Sequence, residues 1–281
     1  MKRANLNWNQ VDLIIEHALE EDIGARDLTT ELLFPKDGKC DAIIQAKEEG
    51  IIAGLPIAKR VFRKLKKDIE WVENKRDGES VSKGDILVNI HGSKTAILTG
   101  ERVALNFIQR LSGIATLTSK FVKAVEGLPV KITDTRKTAP CLRILDKYAV
   151  RTGGGHNYRL GLFDGVLIKD NHLKLIGGIT EAVKAIKKRP GFRFQIEVET
   201  STLEEVREAI AAGVDIIMLD NMTLKMMRRA VDMIKGRALT EASGGITLRN
   251  VRRVAETRVN IISIGSLTHS PEALDIGLYL V

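Results

Sequence analysis

Aromatic residues are scarce in this chain of 281 residues, at 4%. A core with so few rings must be aliphatic, and Val, Ile and Leu packed on both faces of a strand suit βα units. Cysteine is nearly absent. Cys40 and Cys141 make neither a disulfide framework nor a metal-ligand spacing, which points to a reducing, cytoplasmic setting. No run approaches the ~18 apolar residues of a membrane span. The opening MKRANLNWNQVDL lacks the apolar core of a secretory signal. The basic clusters Lys59-Arg60, Arg63-Lys64 and Lys66-Lys67 have no interleaved aromatics, which argues against a nucleic-acid face.

What is present is a 44% hydrophobic chain with a formal net charge of +8. Its length fits two domains, or one domain with a large barrel. Most of the excess charge reads as a solvated Lys/Glu surface, and part of it can focus anionic ligands. Val11, Ile14, Ile15, Ala18 and Leu19 recur at helical spacing, predicting an amphipathic helix over 10–21 that Gly24 stops. Residues 40–46 and 50–53 read as strands and 56–65 as a helix with a basic outer face. Residues 77–92, DGESVSKGDILVNIHG, alternate with period 2 between turn signals. They resemble the hammerhead repeat of biotinyl and lipoyl carriers but carry no displayed hairpin lysine, so they are expected to be a structural strand pair. In GERVALNFIQRL, residues 100–111, Val103, Phe107, Ile108 and Leu111 form one apolar stripe. Arg102 and Asn106 lie on another side, where an arginine is ordinarily just surface. Ser112-Gly113 predicts a break between two helices, and a domain boundary is expected there. That gives residues 1–113 to a first domain and 114–270 to a second.

After residue 129 the pattern is regular. Apolar runs begin near Val130, Asp164, Phe194, Asp215, Ala238 and Asn260, the last four 21, 23 and 22 residues apart. Thr180, Ser201-Thr202, Thr223 and Thr247 precede helical stretches as start signals, with capping-box spacings from Ser201 to Glu204 and from Thr202 to Glu205. A strand, a helix and two short loops, repeated, give a parallel sheet with right-handed crossovers. Six strands fit in roughly 150 residues, where a full eight-stranded barrel takes about 250. The arithmetic favours an incomplete α/β barrel of six to seven strands, with an open doubly wound sheet as the alternative.

Ligand sites lie at the C-terminal strand ends in both architectures. Here those ends read Asp134-Thr135-Arg136-Lys137, Lys169-Asp170-Asn171, Glu197-Val198-Glu199, Leu219-Asp220-Asn221, Glu241 to Gly245, and Ser263-Ile264-Gly265-Ser266. A glycine triplet, Gly153 to Gly155, brings in His156-Asn157-Tyr158-Arg159. The early ends and this connection deliver cations, the middle ends carboxylates, and the last two Ser/Gly loops. Glycines serve ordinary turns as often as phosphates, but two such loops facing a cationic half-site raise the phosphate reading. Glu197 and Glu199 share a strand face. Pointing inward, they need partners, either lysines in a structural network or a metal.

Lined up in this order, DTRKTAP, GGGHNYRLGLFDGVLIKDNH, IEVE, MLDN, EASGGI and ISIGSLTHS closely resemble the signature of quinolinate phosphoribosyltransferases, across nearly the whole chain. GERVALNFIQRLSGIAT and EEDIGARDLTT fit as well. The resemblance implies an N-terminal α/β sandwich, rejoined by residues 271–281, and an incomplete α/β barrel. It also implies a homodimer, or a multiple of dimers, with the site completed across the interface. The implied reaction joins quinolinate and phosphoribosyl pyrophosphate, with magnesium, into nicotinate mononucleotide, pyrophosphate and CO2. By this likeness Arg136, Arg159 and Thr135 would bind the two carboxylates, together with a neighbour's Arg102. Lys137 and Lys169 would lie between acceptor and pyrophosphate. Glu199 and Asp220 would serve the ribose hydroxyls, the magnesium and the oxocarbenium-like state. Ser243-Gly244-Gly245 and Ser263-Ile264-Gly265 would hold the 5′-phosphate through backbone N–H groups. Tyr158 departs from the family pattern, which has histidine there. Rival readings are a phosphoribosyltransferase of the same fold using nicotinate or another acceptor, a barrel aldolase with Lys169 as Schiff-base lysine, and a carrier-like interaction module built on residues 77–92.

Overall fold

The computed structural model describes residues 6–281; residues 1–5, part of the stretch read for a signal core, lie outside the described residues. In chain order the elements are α1 (Trp8–Ile23), α2 (Leu28–Leu33), β1 (Lys39–Ala46), β2 (Gly50–Ile51), α3 (Leu55–Leu65), β3 (Glu70–Glu73), β4 (Ser80–Val81), β5 (Ile86–Ser93), α4 (Lys94–Ala124), β6 (Lys131–Thr133), α5 (Arg143–Thr152) and β7 (Val166–Ile168). Then come α6 (Asp170–Ile176), α7 (Ile179–Lys187), β8 (Ile196–Thr200), α8 (Leu203–Ala212), β9 (Ile216–Asp220), α9 (Leu224–Ile234), β10 (Leu239–Ser243), α10 (Val251–Ala255), β11 (Ile261–Ser263), α11 (Ser266–His269) and β12 (Ile276–Leu280). No helix among the described residues is long and apolar enough to cross a membrane.

The chain divides into two compact units. The first takes the chain up to Ser119 with Thr138–Gly154 and Ser266–Val281; the second takes Lys120–Lys137 and Gly155–Gly265. The division thus returns the C-terminal residues to the first unit and adds the segment 138–154 to it. The segment 138–154 joins the first unit for a nonlocal reason. Asp146, fully buried, accepts two hydrogen bonds from the Arg110 guanidinium (3.0 and 2.8 Å) and one from the Ala139 amide. Tyr148 donates to the Asp77 carboxylate at 2.6 Å.

In the first unit, an antiparallel sheet runs β12-β1-β5-β3. Its first strand buries Ala42, Ile44 and Ala46 on one face. The C-terminal β12 pairs with β1, Ala42 opposite Leu280. The strands of residues 77–92 do not pair with each other. β4 pairs with β2, while β5 lies between β1 and β3, so the carrier-type hairpin does not exist here. The basic face of α3 is largely neutralised within the unit. Arg60 binds Asp12 bidentately (2.5 and 2.7 Å) and stacks on Trp8, and Lys64 pairs with Glu16.

The expected break at Ser112-Gly113 is absent: α4 runs unbroken for 31 residues. The glycine serves close approach instead. A β-carbon on Gly113 would stand 2.0 Å from the Glu272 carbonyl oxygen. Ser112, buried beside it, donates to the Ala53 carbonyl and accepts from the Ala53 amide.

The second unit is a six-stranded parallel sheet in the order β6-β11-β10-β9-β8-β7. The first strand pairs with the last, and the rest follow in sequence. That is the order of a ring with one open seam, between β6 and β7, whereas a doubly wound sheet reverses at a switch point. The unit is an incomplete α/β barrel. Helix starts follow the capping signals only in part. Thr202 caps α8 in a capping box with Glu205, and Thr223 caps α9. Thr180 falls inside α7, where its amide and hydroxyl both donate to Glu208 Oε1 (2.8 and 2.9 Å). Thr247 opens a turn, and α10 starts later at Val251.

Candidate active site

Parallel strands bring their C-terminal ends to one mouth, so residues far apart in sequence meet there. At the end of β6, Asp134 is fully buried. Its amide donates to the His156 carbonyl (3.1 Å), and the His156 amide donates to the Ile132 carbonyl (2.8 Å), so this connection lies along β6 as a short parallel rung. The Asp134 carboxylate accepts from Asn157 Nδ2 (2.5 Å) and from the Tyr158 amide (2.9 Å). The next residue, Arg159, donates to the Gly165 carbonyl at 3.0 Å. Burial, and then the charge of Arg136, hold the Arg159 guanidinium below its ordinary pKa. Two guanidiniums thus lie close enough to oppose each other's charge. Asp134 and Asn157 were not candidates from sequence, although the DTRKTAP motif begins with that aspartate.

Lys137 is exposed, and its amide donates to the Thr135 hydroxyl (3.0 Å). Lys169 ends β7 at the N-cap of α6. Its exposed position is not the desolvated pocket a Schiff-base lysine needs. Glu199 at the end of β8 is half-buried. Its carboxyl is raised by burial first and then by Asp220, while Lys169 and Lys137 pull it back. Glu199, Asp220, Lys137 and Lys169 therefore form one electrostatic cluster at the mouth.

The late loops differ from each other. Gly244 and Gly245 both take left-handed backbone (φ 89° and 62°), and their amides have no protein acceptor among the described residues. In the other loop the Ile264 amide is engaged, donating to the Thr133 carbonyl at 3.0 Å. That amide is not available for a phosphate. Arg102 belongs to the first unit, where it is exposed on α4.

Below the mouth, the barrel interior holds Glu197 and Glu241, at 1% and 0% exposure. Glu197 meets Glu241 and Glu199, not the lysines that were one of its two expected kinds of partner. Neither buried carboxyl finds a hydrogen-bond donor of good geometry among the described residues. Burial first, and then Glu241, raise Glu197 to about 9; burial raises Glu241 to about 7, with the Ser263 hydroxyl opposing the rise. Neighbours this close titrate as a pair. The folded state therefore holds protons that the unfolded chain releases near 4.5. Stability from this pair is complete below that pH and falls as pH rises through 7 toward 9. Unfolding midpoints measured from pH 5 to 9 are expected to fall more steeply for the native chain than for Glu197→Gln. Parallel curves would contradict this.

Among the described residues no group of three or more His, Cys, Asp or Glu could cage a metal. Glu199 and Asp220 do suit a hard cation that brings its own oxygen ligands. Magnesium typically takes one or two carboxylates and completes its shell with water and substrate phosphates. A cavity of about 710 Å³ lined by residues of α8 and α9 and by Lys235 and Arg237 includes no strand-end residue and stands apart from this site.

An incomplete parallel α/β barrel, with cations, carboxylates and a glycine loop at one mouth, defines an enzyme for anionic, phosphorylated substrates. The profile described as quinolinate phosphoribosyl transferase, N-terminal domain, matches residues 27–112, and that of the C-terminal domain matches 114–279. A probable nicotinate-nucleotide pyrophosphorylase [carboxylating] of Bacillus subtilis is 47% identical over 273 residues, covering 97% of this chain and 94% of the relative. The crystal structure of NadC from Streptococcus pyogenes superposes with a TM-score of 0.94 at 40% identity, covering 99% of each chain. A nicotinate-nucleotide pyrophosphorylase from Ehrlichia chaffeensis gives 0.93 at 41%, covering 100% of each. The chain belongs to the quinolinate phosphoribosyltransferase family.

Proposed function

We infer that the chain transfers phosphoribosyl from phosphoribosyl pyrophosphate to the ring nitrogen of quinolinate, with decarboxylation, in NAD biosynthesis. The observation that supports this best is that the strand ends of one barrel, with the connection that lies along β6, carry both the pair Arg136 and Arg159 and the cluster of Glu199, Asp220, Lys137 and Lys169. Planar guanidinium forks suit the two carboxylates of the acceptor. Thr135, Lys137 and Lys169 complete that side, with Tyr158 where the family has histidine. On the donor side, Glu199 and Asp220 take the ribose hydroxyls. Lys137 and Lys169 also face the pyrophosphate. Ser243, Gly244 and Gly245, with Ser263, Ile264 and Gly265, enclose the 5′-phosphate, the amides of Gly244 and Gly245 donating to it.

The pyridine nitrogen attacks the anomeric carbon as pyrophosphate departs. Glu199 and Asp220 favour the positive charge that gathers on the ribose between these events. The new pyridinium stabilises the electron pair left on the ring carbon when its bond to the adjacent carboxylate breaks and CO2 departs, and that carbanion then takes a proton from water. Glu199 and Asp220 would hold magnesium, which when bound offsets the charge of the leaving pyrophosphate.

The working unit is a homodimer, or a multiple of dimers, in which Arg102 reaches the neighbour's quinolinate; its exposure on α4 supports this. Two free cysteines are consistent with a reducing cytoplasm. Incubation with both substrates and magnesium is expected to give nicotinate mononucleotide, pyrophosphate and CO2 in equal amounts, and chelation by EDTA is expected to stop it. Turnover unaffected by EDTA would remove the metal from this account, and no nucleotide product would overturn the reaction.

A further inference from the structure

One residue ties the two halves of the donor side together. Asn221 follows Asp220 at the end of β9 in left-handed backbone (φ 52°). Such a conformation is strained for most side chains, and asparagine is among the few that tolerate it. The turn swings Asn221 sideways toward the neighbouring strand β10, where its amide donates to the Ser243 carbonyl at 2.9 Å. Its side chain reaches both ways. Nδ2 donates to Asp220 Oδ2 at 2.7 Å. Oδ1 lies so close over Gly244 that a β-carbon there would stand 2.2 Å from it. Gly244 therefore lacks a side chain for two reasons, its own φ of 89° and the Asn221 amide above it.

We propose that Asn221 is a positioning residue for the phosphoribosyl donor, fixing the Asp220 carboxylate against the Ser243-Gly244-Gly245 loop. This rests on the reading that Asp220 takes the ribose hydroxyls and the loop the 5′-phosphate. Those groups of the donor are separated by one sugar ring and a short rotatable arm, which limits their separation, so a residue bonded to both holders sets the span that the donor must match. Asn221 itself touches neither reacting atom.

Asn221→Gly is the informative variant, because glycine keeps the left-handed backbone and removes only the amide. Its KM for phosphoribosyl pyrophosphate is expected to rise roughly tenfold, the scale of one lost hydrogen bond to a charged group. Its KM for quinolinate and its melting temperature are expected to stay unchanged. Asp220→Asn and Gly244→Ala serve as controls for the subsite, and each should also raise the donor KM. The Gly244→Ala penalty should be smaller in the Asn221→Gly background, where the amide no longer blocks the added methyl. An unchanged donor KM in Asn221→Gly, with the two controls impaired, would overturn the positioning role and leave the subsite in place. Unchanged donor KM in all three would overturn the subsite reading and the proposal with it. Equal rises for both substrates with a lower melting temperature would mean a role in folding and would also overturn it.

Discussion

Replacing Arg136 or Lys169 with alanine is expected to cut turnover of quinolinate by roughly 10²-fold or more, the scale seen when one preorganised electrostatic group is removed. The two variants test different parts of the mouth. Arg136 projects from the end of β6, half-buried, next to an Arg159 that burial and like charge already hold below its ordinary pKa. A dianion between two such guanidiniums relieves their repulsion. Removing one leaves a carboxylate of the substrate unmatched and out of line with the anomeric carbon. Loss is expected in both KM for quinolinate and kcat. Lys169, proposed to face both acceptor and donor, lies within reach of the charge on Glu199. Its removal takes a cation from the departing pyrophosphate and lets Glu199 shift further toward the protonated form, which cannot favour a positive ribose. That loss should fall mainly on kcat. Steady-state kinetics of the two purified variants checks both, and near-normal activity in both would mean that the site lies elsewhere.

The second large effect concerns sharing between subunits. Arg102→Ala and Lys169→Ala are each expected to be nearly inactive alone. After the two are mixed and allowed to exchange subunits, half the dimers are hybrids. In a hybrid, one site has lost both residues and the other neither. Activity is then expected to recover to about a quarter of the unmutated level, as a two-fold symmetric dimer with shared sites requires. The recovery should track hybrid formation followed by native mass spectrometry of differently tagged chains. Hybrids without recovery would show that Arg102 does not serve a neighbouring site.

Much of the barrel was legible because its strands are buried on both faces and read as contiguous aliphatic runs. The runs at Val130, Asp164, Phe194, Asp215, Ala238 and Asn260 became strands starting at Lys131, Val166, Ile196, Ile216, Leu239 and Ile261, each within two residues. The residues at their ends were legible for the same reason, since a strand end in a parallel barrel is a position at the mouth. What local pattern does not carry is the partner. Gly113 looks like a helix break unless the Glu272 backbone is known to cross it. Ile86–Ser93 and Ser80–Val81 alternate like a hairpin, yet each finds its partner elsewhere. Residues 138–154 follow a barrel strand in sequence, yet are held by Arg110 and Asp77. Glu197 gave no sign that its neighbour is Glu241 rather than a lysine. Asp134 and Asn221 were visible in DTRKTAP and MLDN. Their roles come from hydrogen bonds to segments that the sequence leaves far away.

The most direct test of the central claim is acceptor preference, measured with one enzyme preparation and saturating phosphoribosyl pyrophosphate. Quinolinate and nicotinate differ by the carboxylate that leaves, and on the proposed reading Arg136, Arg159 and a neighbour's Arg102 together would bind two carboxylates. The expected result is a kcat/KM for quinolinate at least 10²-fold above that for nicotinate, because a site made to bind a group rejects the analogue that lacks it. Equal rates, or a preference for nicotinate, would contradict the account.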